Sequence, residues 1–85
     1  MNTATATEAR SLSEIARDIQ RDWKAPYFGA IPYIDAMARL GSINEMYYAD
    51  SARSVVLYFL SNASAWRGPK AREIKAELKK LAGVK

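Results

Sequence analysis

The side chains best suited to bind a ligand are four cations near the C-terminal end of the chain: Arg67, Arg72, Lys75 and Lys79. The last three recur at spacings of three and four, so a helix would place them on one strip beside its apolar face. Guanidinium and ammonium groups donate hydrogen bonds to anions, which suits phosphates or an acidic protein. The alternative is structural, because cations near a helix C-terminus favour its dipole and keep the surface soluble.

The charge of the chain is uneven. The formal net charge is +4 at pH 7, and residues 67–85 hold seven basic and two acidic residues. Residues 1–66 hold six basic and seven acidic residues, so the positive excess belongs to the C-terminal end. Such an end gives salt-dependent affinity for nucleic acid if several cations reach phosphates together. The segments around Gly68, however, lack the cluster of Asn, Gln, Ser and Arg that is typical of a DNA-recognition helix.

The chain has no cysteine and no histidine, and its four glycines form no phosphate-binding loop. This composition excludes disulfides, thiolate nucleophiles, imidazole bases and the usual zinc and haem ligands. Asp35 and Asp50 lie beside aromatic segments, but acid–base catalysis needs two carboxylates held about 5 to 10 Å apart. Nothing in their spacing indicates this, and Asp50 has a simpler interpretation as a helix cap. We therefore predict a protein that is not an enzyme and that uses no cofactor or metal.

All nine aromatic residues lie within residues 23–66. Tyr27 and Phe28 belong to a segment with Pro and Gly that is typical of a loop. Because Tyr and Trp are enriched at interface hot spots, these side chains are candidate contacts for a protein partner. The alternative is that most of the aromatic residues fill the small core. Tyr27, Tyr47 and Tyr48 are the tyrosines that we expect to be exposed.

Four helices are predicted to position these residues. The first begins at Ser11, because Ser11 and Glu14 fit a capping box in which each side chain bonds a backbone amide. Its apolar residues recur at spacings of three and four, which predicts one buried stripe. This stripe consists of Leu12, Ile15, Ala16, Ile19 and Trp23.

The second helix is expected to be short. The loop before it ends at Ile31, because Pro32 disfavours helical geometry in the preceding residue and fits the first helical position. Gly41 is the predicted C-terminal cap. Ser42 and Glu45 then fit a second capping box, which indicates a single turn.

The third helix carries six consecutive apolar residues, from Val55 to Leu60. Its predicted cap is Asp50, and it continues to Arg67 because no Gly or Pro interrupts it. A strand is the alternative, since Val, Tyr, Phe and Leu also favour strands, but no second strand-like run exists to pair with it. A segment that is apolar all the way round belongs at the centre of the fold.

Pro69 fits the first turn of the fourth helix, and Gly83 fits its end. The predicted apolar face consists of Ala71, Ile74, Leu78, Leu81 and Ala82. The prediction is an all-α protein: a compact four-helix domain over residues 11–85 with a central apolar helix, preceded by a disordered tail over residues 1–10. No segment is long and apolar enough to span a bilayer or to act as a signal peptide. The lack of cysteine fits a reducing cytosol, which is the expected location, although an exported protein can also lack cysteine.

Two stretches of the chain carry a family resemblance. They are Tyr27-Phe28-Gly29-Ala30-Ile31-Pro32-Tyr33 and the segment from Asp50-Ser51 through Tyr58-Phe59-Leu60-Ser61-Asn62-Ala63 to Trp66-Arg67-Gly68. With flanking matches over residues 13–82, the chain resembles small uncharacterised proteins encoded by phages of actinobacteria. This family has no established activity, so no functional residue is carried over. The resemblance implies a phage protein that binds a host protein or nucleic acid in the bacterial cytoplasm.

Two functions remain open. The first is a non-enzymatic accessory protein that binds a host or phage protein through aromatic residues near Tyr27 and through the basic last helix. The second is a small nucleic-acid-binding protein whose four cations contact phosphates. Added salt and charge reversal should abolish the second kind of binding and weaken the first far less. Self-association through the apolar faces of the outer helices is compatible with either.

Overall fold

The computed structural model describes residues 10–84, which form four α-helices and one two-stranded antiparallel hairpin. The elements are α1 (Leu12–Asp22), a short 3₁₀-helix (Phe28–Ala30), α2 (Ile31–Ala38), β1 (Met46–Tyr47), β2 (Asp50–Ser51), α3 (Ala52–Ser61) and α4 (Pro69–Leu81). The prediction of a mostly helical, compact domain is confirmed, although the all-α class omits the hairpin. Residues 1–9 of the predicted tail lie outside the described residues. Within the described part of the chain, no helix has the length and apolar character needed to cross a membrane.

Helix α1 forms as its local sequence predicts. The backbone N–H of Glu14 donates to Ser11 Oγ at 3.2 Å, and the backbone N–H of Ser11 donates to Glu14 Oε1 at 3.0 Å. These two bonds are the capping box. Every member of the predicted stripe is buried: Leu12, Ile15, Ala16, Ile19 and Trp23. The stripe faces α2 and α4, which are the helices packed against α1.

The start of α2 differs from the prediction. Ile31 has helical backbone angles, with φ −57° and ψ −47°, so α2 begins one residue before Pro32. The 3₁₀-helix leads directly into α2, since the N–H of Ile31 donates to the carbonyl of Phe28. This continuous turn outweighs the usual effect of proline on the residue before it.

In the segment after α2 the predicted cap and capping box are wrong, but the predicted single turn is present, since the N–H of Glu45 donates to the carbonyl of Ser42 at 3.1 Å. Helix α2 ends at Ala38, and Gly41 is not its cap, because the N–H of Gly41 donates to Glu45 Oε1 at 2.9 Å. The Glu45 carboxylate therefore does not complete a capping box. Ser42 Oγ instead accepts a hydrogen bond from the N–H of Asn44 at 3.1 Å, which forms a turn.

The hairpin between α2 and α3 has no counterpart in the sequence prediction. Met46 pairs with Ser51, and Tyr47 pairs with Asp50. Tyr48 turns the chain with a φ of 54°, in the left-handed region. Because Asp50 belongs to β2, it does not cap α3 as predicted. The N-cap is Ser51, whose Oγ accepts a first-turn backbone N–H at 3.0 Å.

The apolar run folds as helix α3 rather than as a strand, as predicted. Val55 and Phe59 are buried, but Tyr58 is 51% exposed. The prediction of a helix without a solvent face is therefore wrong, because the neighbouring helices α2 and α4 cover only part of its circumference. The helix also stops at Ser61, well before Arg67. Residues 62–68 connect α3 to α4.

Helix α4 has the predicted ends. Pro69 is its first residue. At its C-terminal end, Gly83 has a φ of 76°, its N–H bonds the carbonyl of Lys80, and the N–H of Val84 bonds the carbonyl of Lys79. These two bonds form a Schellman motif. The predicted face lies inward, with Leu81 half-buried and the other members buried: Ala71, Ile74, Leu78 and Ala82.

Three aromatic side chains join the helices at one end of the core. Trp23 stacks on Trp66 with ring centroids 5.7 Å apart and an interplanar angle of 10°. Phe59 meets both rings edge-on, at 6.4 Å and 6.2 Å. Trp66 Nε1 also donates to Asp22 Oδ2 at 2.8 Å. Together these contacts fix the α3–α4 connection against the end of α1.

Arg10 links the start of α1 to α4. Its guanidinium donates to the Glu77 carboxylate from Nε at 3.0 Å and from Nη2 at 2.7 Å. Its Nη1 donates to Asp18, which also pairs with Arg21. The hydrogen bond from Arg10 is the largest of the effects that hold the pKa of Asp18 below its ordinary value. Arg10, the last residue of the predicted tail, thus has a defined place beside two helices.

Asp18 should contribute to the pH dependence of stability. Its lowered pKa in the folded state means that its ionised form stabilises the fold above the unfolded-state pKa of about 3.9. That stabilisation is lost as the pH falls through the lower folded-state value. We expect Asp18→Asn to cost about 1 kcal/mol at pH 7 and much less at pH 3, as measured by urea unfolding.

The exposed carboxylate Asp35 is the control, since Asp35→Asn should lower stability little at either pH. An equal loss at both pH values for Asp18→Asn would contradict this account.

Candidate functional site

Two pairs of touching aromatic rings lie at the surface, and we call them together the aromatic strip: Tyr27 with Phe28, and the half-buried Tyr33 with the exposed Tyr58. The ring centroids of Tyr27 and Phe28 are 4.8 Å apart, and those of Tyr33 and Tyr58 are 5.6 Å apart. Phe28 is 76% exposed and Tyr27 is 48% exposed. An isolated exposed aromatic side chain is ordinary, but rings in contact with one another on the surface are typical of an interaction site.

Asn62 joins the two halves of the aromatic strip. Its Nδ2 donates to the backbone carbonyl of Tyr58 at 2.8 Å. Its Oδ1 lies beside Gly29, where the Tyr27 ring also lies. A Cβ at Gly29 would stand 2.9 Å from this oxygen and 2.6 Å from a Tyr27 ring carbon. The absence of a side chain at Gly29 therefore allows the Tyr27 ring to approach the end of α3.

A shallow groove of about 420 Å³ lies beside the aromatic strip. Its lining residues are Tyr27, Ser61, Asn62, Ser64 and Ala65. The Ser61 hydroxyl is already used, since it donates to the carbonyl of Leu57 at 3.1 Å. The groove thus combines one aromatic wall with small polar and apolar groups. Such a lining suits a peptide segment, which brings both side chains and backbone polar groups.

Lys75 differs from the other three predicted cations because it has a structural contact. Its Nζ donates to the backbone carbonyl of Trp66 at 2.6 Å and lies 5.9 Å from the centroid of the Trp66 ring. Burial lowers the pKa of Lys75, and the nearby charges of Lys79 and Arg67 lower it further. Lys75 is half-buried and already donates a hydrogen bond to a backbone carbonyl of its own chain.

The remaining three cations are exposed: Arg67, Arg72 and Lys79. None of them forms an ion pair with another residue in the range 10–84. Arg67 and Lys79 are close enough to Lys75 to repel its charge, and Arg72 lies one helical turn before it on α4. We call Arg67, Arg72, Lys75 and Lys79 the basic face.

The α3–α4 connection brings the aromatic strip and the basic face to the same segment. Ala65 lines the groove together with Tyr27, and Arg67 follows two residues later. Because consecutive Cα atoms are about 3.8 Å apart, the Cα atoms of these two residues lie within about 8 Å. The carbonyl that Lys75 binds belongs to Trp66, which lies between them.

The sequence indicated only half of the aromatic strip. Tyr27 and Phe28 were predicted from a loop-like segment, and both are exposed. The sequence places Tyr58 in the apolar run from Val55 to Leu60, which is expected to be buried. It places Tyr33 on the apolar face of the second helix, because Tyr33 has helical spacing with Ala36, Met37 and Leu40. Asn62 was not singled out at all. Their spacing alone could not have revealed the strip, since it depends on how α2 and α3 pack together.

The other two tyrosines that were predicted to be exposed lie in the hairpin. Tyr48 is 84% exposed, whereas Tyr47 is half-buried. Three of the nine aromatic residues are buried, and Tyr33 and Tyr47 are partly buried and pack against the core. Most of the aromatic residues therefore belong to the core, as the alternative predicts.

The two carboxylates weighed for catalysis are both exposed, Asp35 on α2 and Asp50 on β2. Residues 10–84 contain no group of three or more acidic side chains placed to hold a metal ion.

No protein-family model, curated protein or solved structure matches the chain. The aromatic strip and the adjoining basic face are therefore the candidate site.

Proposed function

We propose that the protein is a non-enzymatic accessory protein of the kind encoded by phages of actinobacteria, and that it binds a host or phage protein in the host cytoplasm. The observation that supports this most is the aromatic strip. Its rings expose apolar area to water, and covering that area with a partner is favourable by about 25 cal/mol per Å². Tyrosine also presents a polar tip and few rotatable bonds, which makes it a frequent binding hot spot.

Replacing Tyr27 and Phe28 together by serine should weaken partner binding at least tenfold. Both side chains are exposed, so their removal deletes contact area without opening the core. We expect the free energy of unfolding to change by less than about 0.5 kcal/mol. Tyr48→Ser is a matched control, because Tyr48 is 84% exposed but lies in the hairpin.

The measurement is an affinity capture by the tagged protein from nuclease-treated bacterial lysate, quantified by mass spectrometry. The partner is a protein retained by the wild type and by Tyr48→Ser but lost by the double variant. Its dissociation constant is then measured by calorimetry with the purified proteins. If every retained protein binds the double variant as well as the wild type, the proposed function is wrong.

Nucleic-acid binding is the second candidate, and the exposed cations Arg67, Arg72 and Lys79 favour it. The structural contact of Lys75 leaves three cations available to phosphates. Three phosphate contacts give a slope of only about −2.7 for log affinity against log salt, which is modest for a nucleic-acid-binding protein. Oligonucleotide binding that depends on salt and on these three side chains would support this candidate. We place it second because three phosphate contacts supply only this modest salt-dependent affinity.

A further inference from the structure

The exposed surface has its apolar and basic parts in a fixed order. Phe28 and Tyr27 lie at one end, the groove follows, and Arg67 begins the basic face within about 8 Å of the groove residue Ala65. An extended peptide advances about 3.3 Å per residue. A segment of roughly two to three residues therefore reaches from the groove residue Ala65 to the first cation.

The cations of the basic face repel one another. Arg67 and Lys79 both lower the pKa of Lys75 through their charge, and Arg72 lies on the same strip of α4. Like charges at helical spacings of three and four cost stability unless an anion screens them. The described residues supply no carboxylate that pairs with these cations.

The acidic residues of α4 lie on its other flank and already have partners. Glu77 accepts two hydrogen bonds from Arg10, and Glu73 pairs with Lys70 at 3.3 Å. On a helix, Glu73 and Glu77 project away from the strip that holds Lys75. The charge of the basic face is thus balanced by nothing on its own side of α4.

We infer that the occupant of this surface is an acidic segment of a protein partner, with a large apolar side chain on the aromatic strip and carboxylates on Arg67, Arg72 and Lys79. The inference rests on the proposed function and adds the chemistry of the partner to it. Opposite charge would speed the encounter and fix the direction of the segment, and the apolar contact would supply most of the affinity.

The test is a selection of random twelve-residue peptides on the immobilised full chain, followed by anisotropy titration of the enriched peptides. We expect the enriched peptides to carry excess Asp and Glu next to an aromatic or large aliphatic residue. Their affinity should fall at least tenfold with Tyr27→Ser combined with Phe28→Ser. It should fall as much when Arg67, Arg72 and Lys79 are all changed to Glu.

A second triple variant controls for net charge. Arg17, Arg39 and Lys80 are exposed cations outside the basic face, and changing all three to Glu alters the net charge equally. This variant should keep at least half of the affinity for the enriched peptides. A loss equal to that of the first triple variant would show a nonspecific charge effect and overturn the inference.

The remaining outcomes separate the inference from the proposed function. Enriched peptides without acidic excess that still require Tyr27 and Phe28 overturn the inference and leave the proposed function standing. If no enriched peptide requires these two residues, both the inference and the proposed function are wrong.

A labelled single-stranded twenty-nucleotide DNA is titrated in parallel. If this DNA binds more tightly than the peptides and requires both the aromatic strip and the basic face, the occupant is nucleic acid and the inference is overturned.

Discussion

Trp66→Ala is expected to lower the free energy of unfolding by about 3 to 5 kcal/mol. Trp66 is 2% exposed and fills the space between Trp23 and Phe59. Its removal leaves a cavity and deprives Asp22 of the indole N–H that it accepts at 2.8 Å. Since domains of this size have a total stability near the low end of about 5 to 15 kcal/mol, the variant should be close to unfolding at 37 °C.

Urea unfolding followed by far-ultraviolet circular dichroism measures this loss. Trp66→Phe retains an aromatic ring but removes the hydrogen bond to Asp22, so it should lose less than Trp66→Ala. Tyr48→Ala is the control for truncation of an exposed ring, and it should change the free energy by less than about 0.5 kcal/mol. A loss below about 1 kcal/mol for Trp66→Ala would contradict the structural role of this side chain.

Lys75→Met is expected to cost about 1.5 to 3 kcal/mol of stability, the usual range for hydrogen bonds of charged groups. Methionine keeps an apolar stem in the same place but leaves the carbonyl of Trp66 without the donor that Lys75 places at 2.6 Å. It also removes the contact with the face of the Trp66 ring. Relief of the burial of a charged ammonium group, and then of its repulsion from Lys79 and Arg67, offsets a part of this cost.

Arg72→Met is the matched control, because Arg72 is an exposed cation on the same strip of α4. It should change the free energy of unfolding by less than about 0.5 kcal/mol in the same urea experiment. Equal and small effects of the two variants would show that Lys75 has no structural role. Lys75 would then belong with the cations that are available to a ligand.

The features predicted correctly are those decided by neighbours along the chain. The capping box of α1 needs only Ser11 and Glu14, and both of its hydrogen bonds are present. Gly83 directly follows the last residue with apolar helical spacing, which is the position where a left-handed glycine ends a helix. Helical spacing identified the buried stripes of α1 and α4 for the same reason.

The region between α2 and α3 was predicted poorly because its motifs are ambiguous. Ser42 and Glu45 have the spacing of a capping box, yet the Glu45 carboxylate bonds the N–H of Gly41 instead. Strands of two residues are too short to show an alternating pattern. Tyr48 also has a left-handed backbone conformation, which is uncommon for a tyrosine and is not predicted by its residue type.

The candidate site was predicted in part because exposure and partners are decided by tertiary packing. The loop character of the segment with Tyr27 was visible in its Pro and Gly residues. The exposure of Tyr58 depends on which sides of α3 its neighbours cover. The acceptor of Lys75 lies nine residues earlier, across Gly68, so no helical spacing relates the two. The split of the basic residues into one structural lysine and three exposed cations therefore required the structure.

The stacking of Trp23 on Trp66 gives the protein an intrinsic optical probe. These are the only two tryptophans in the chain, and they belong to a single contact between α1 and the α3–α4 connection. Indole emission therefore reports the separation of these two segments and not the secondary structure of the four helices. In a two-state transition, the emission and the helical signal change together at every denaturant concentration. Emission that changes first would identify the α3–α4 connection as the part that opens before the helices unfold, without any added label.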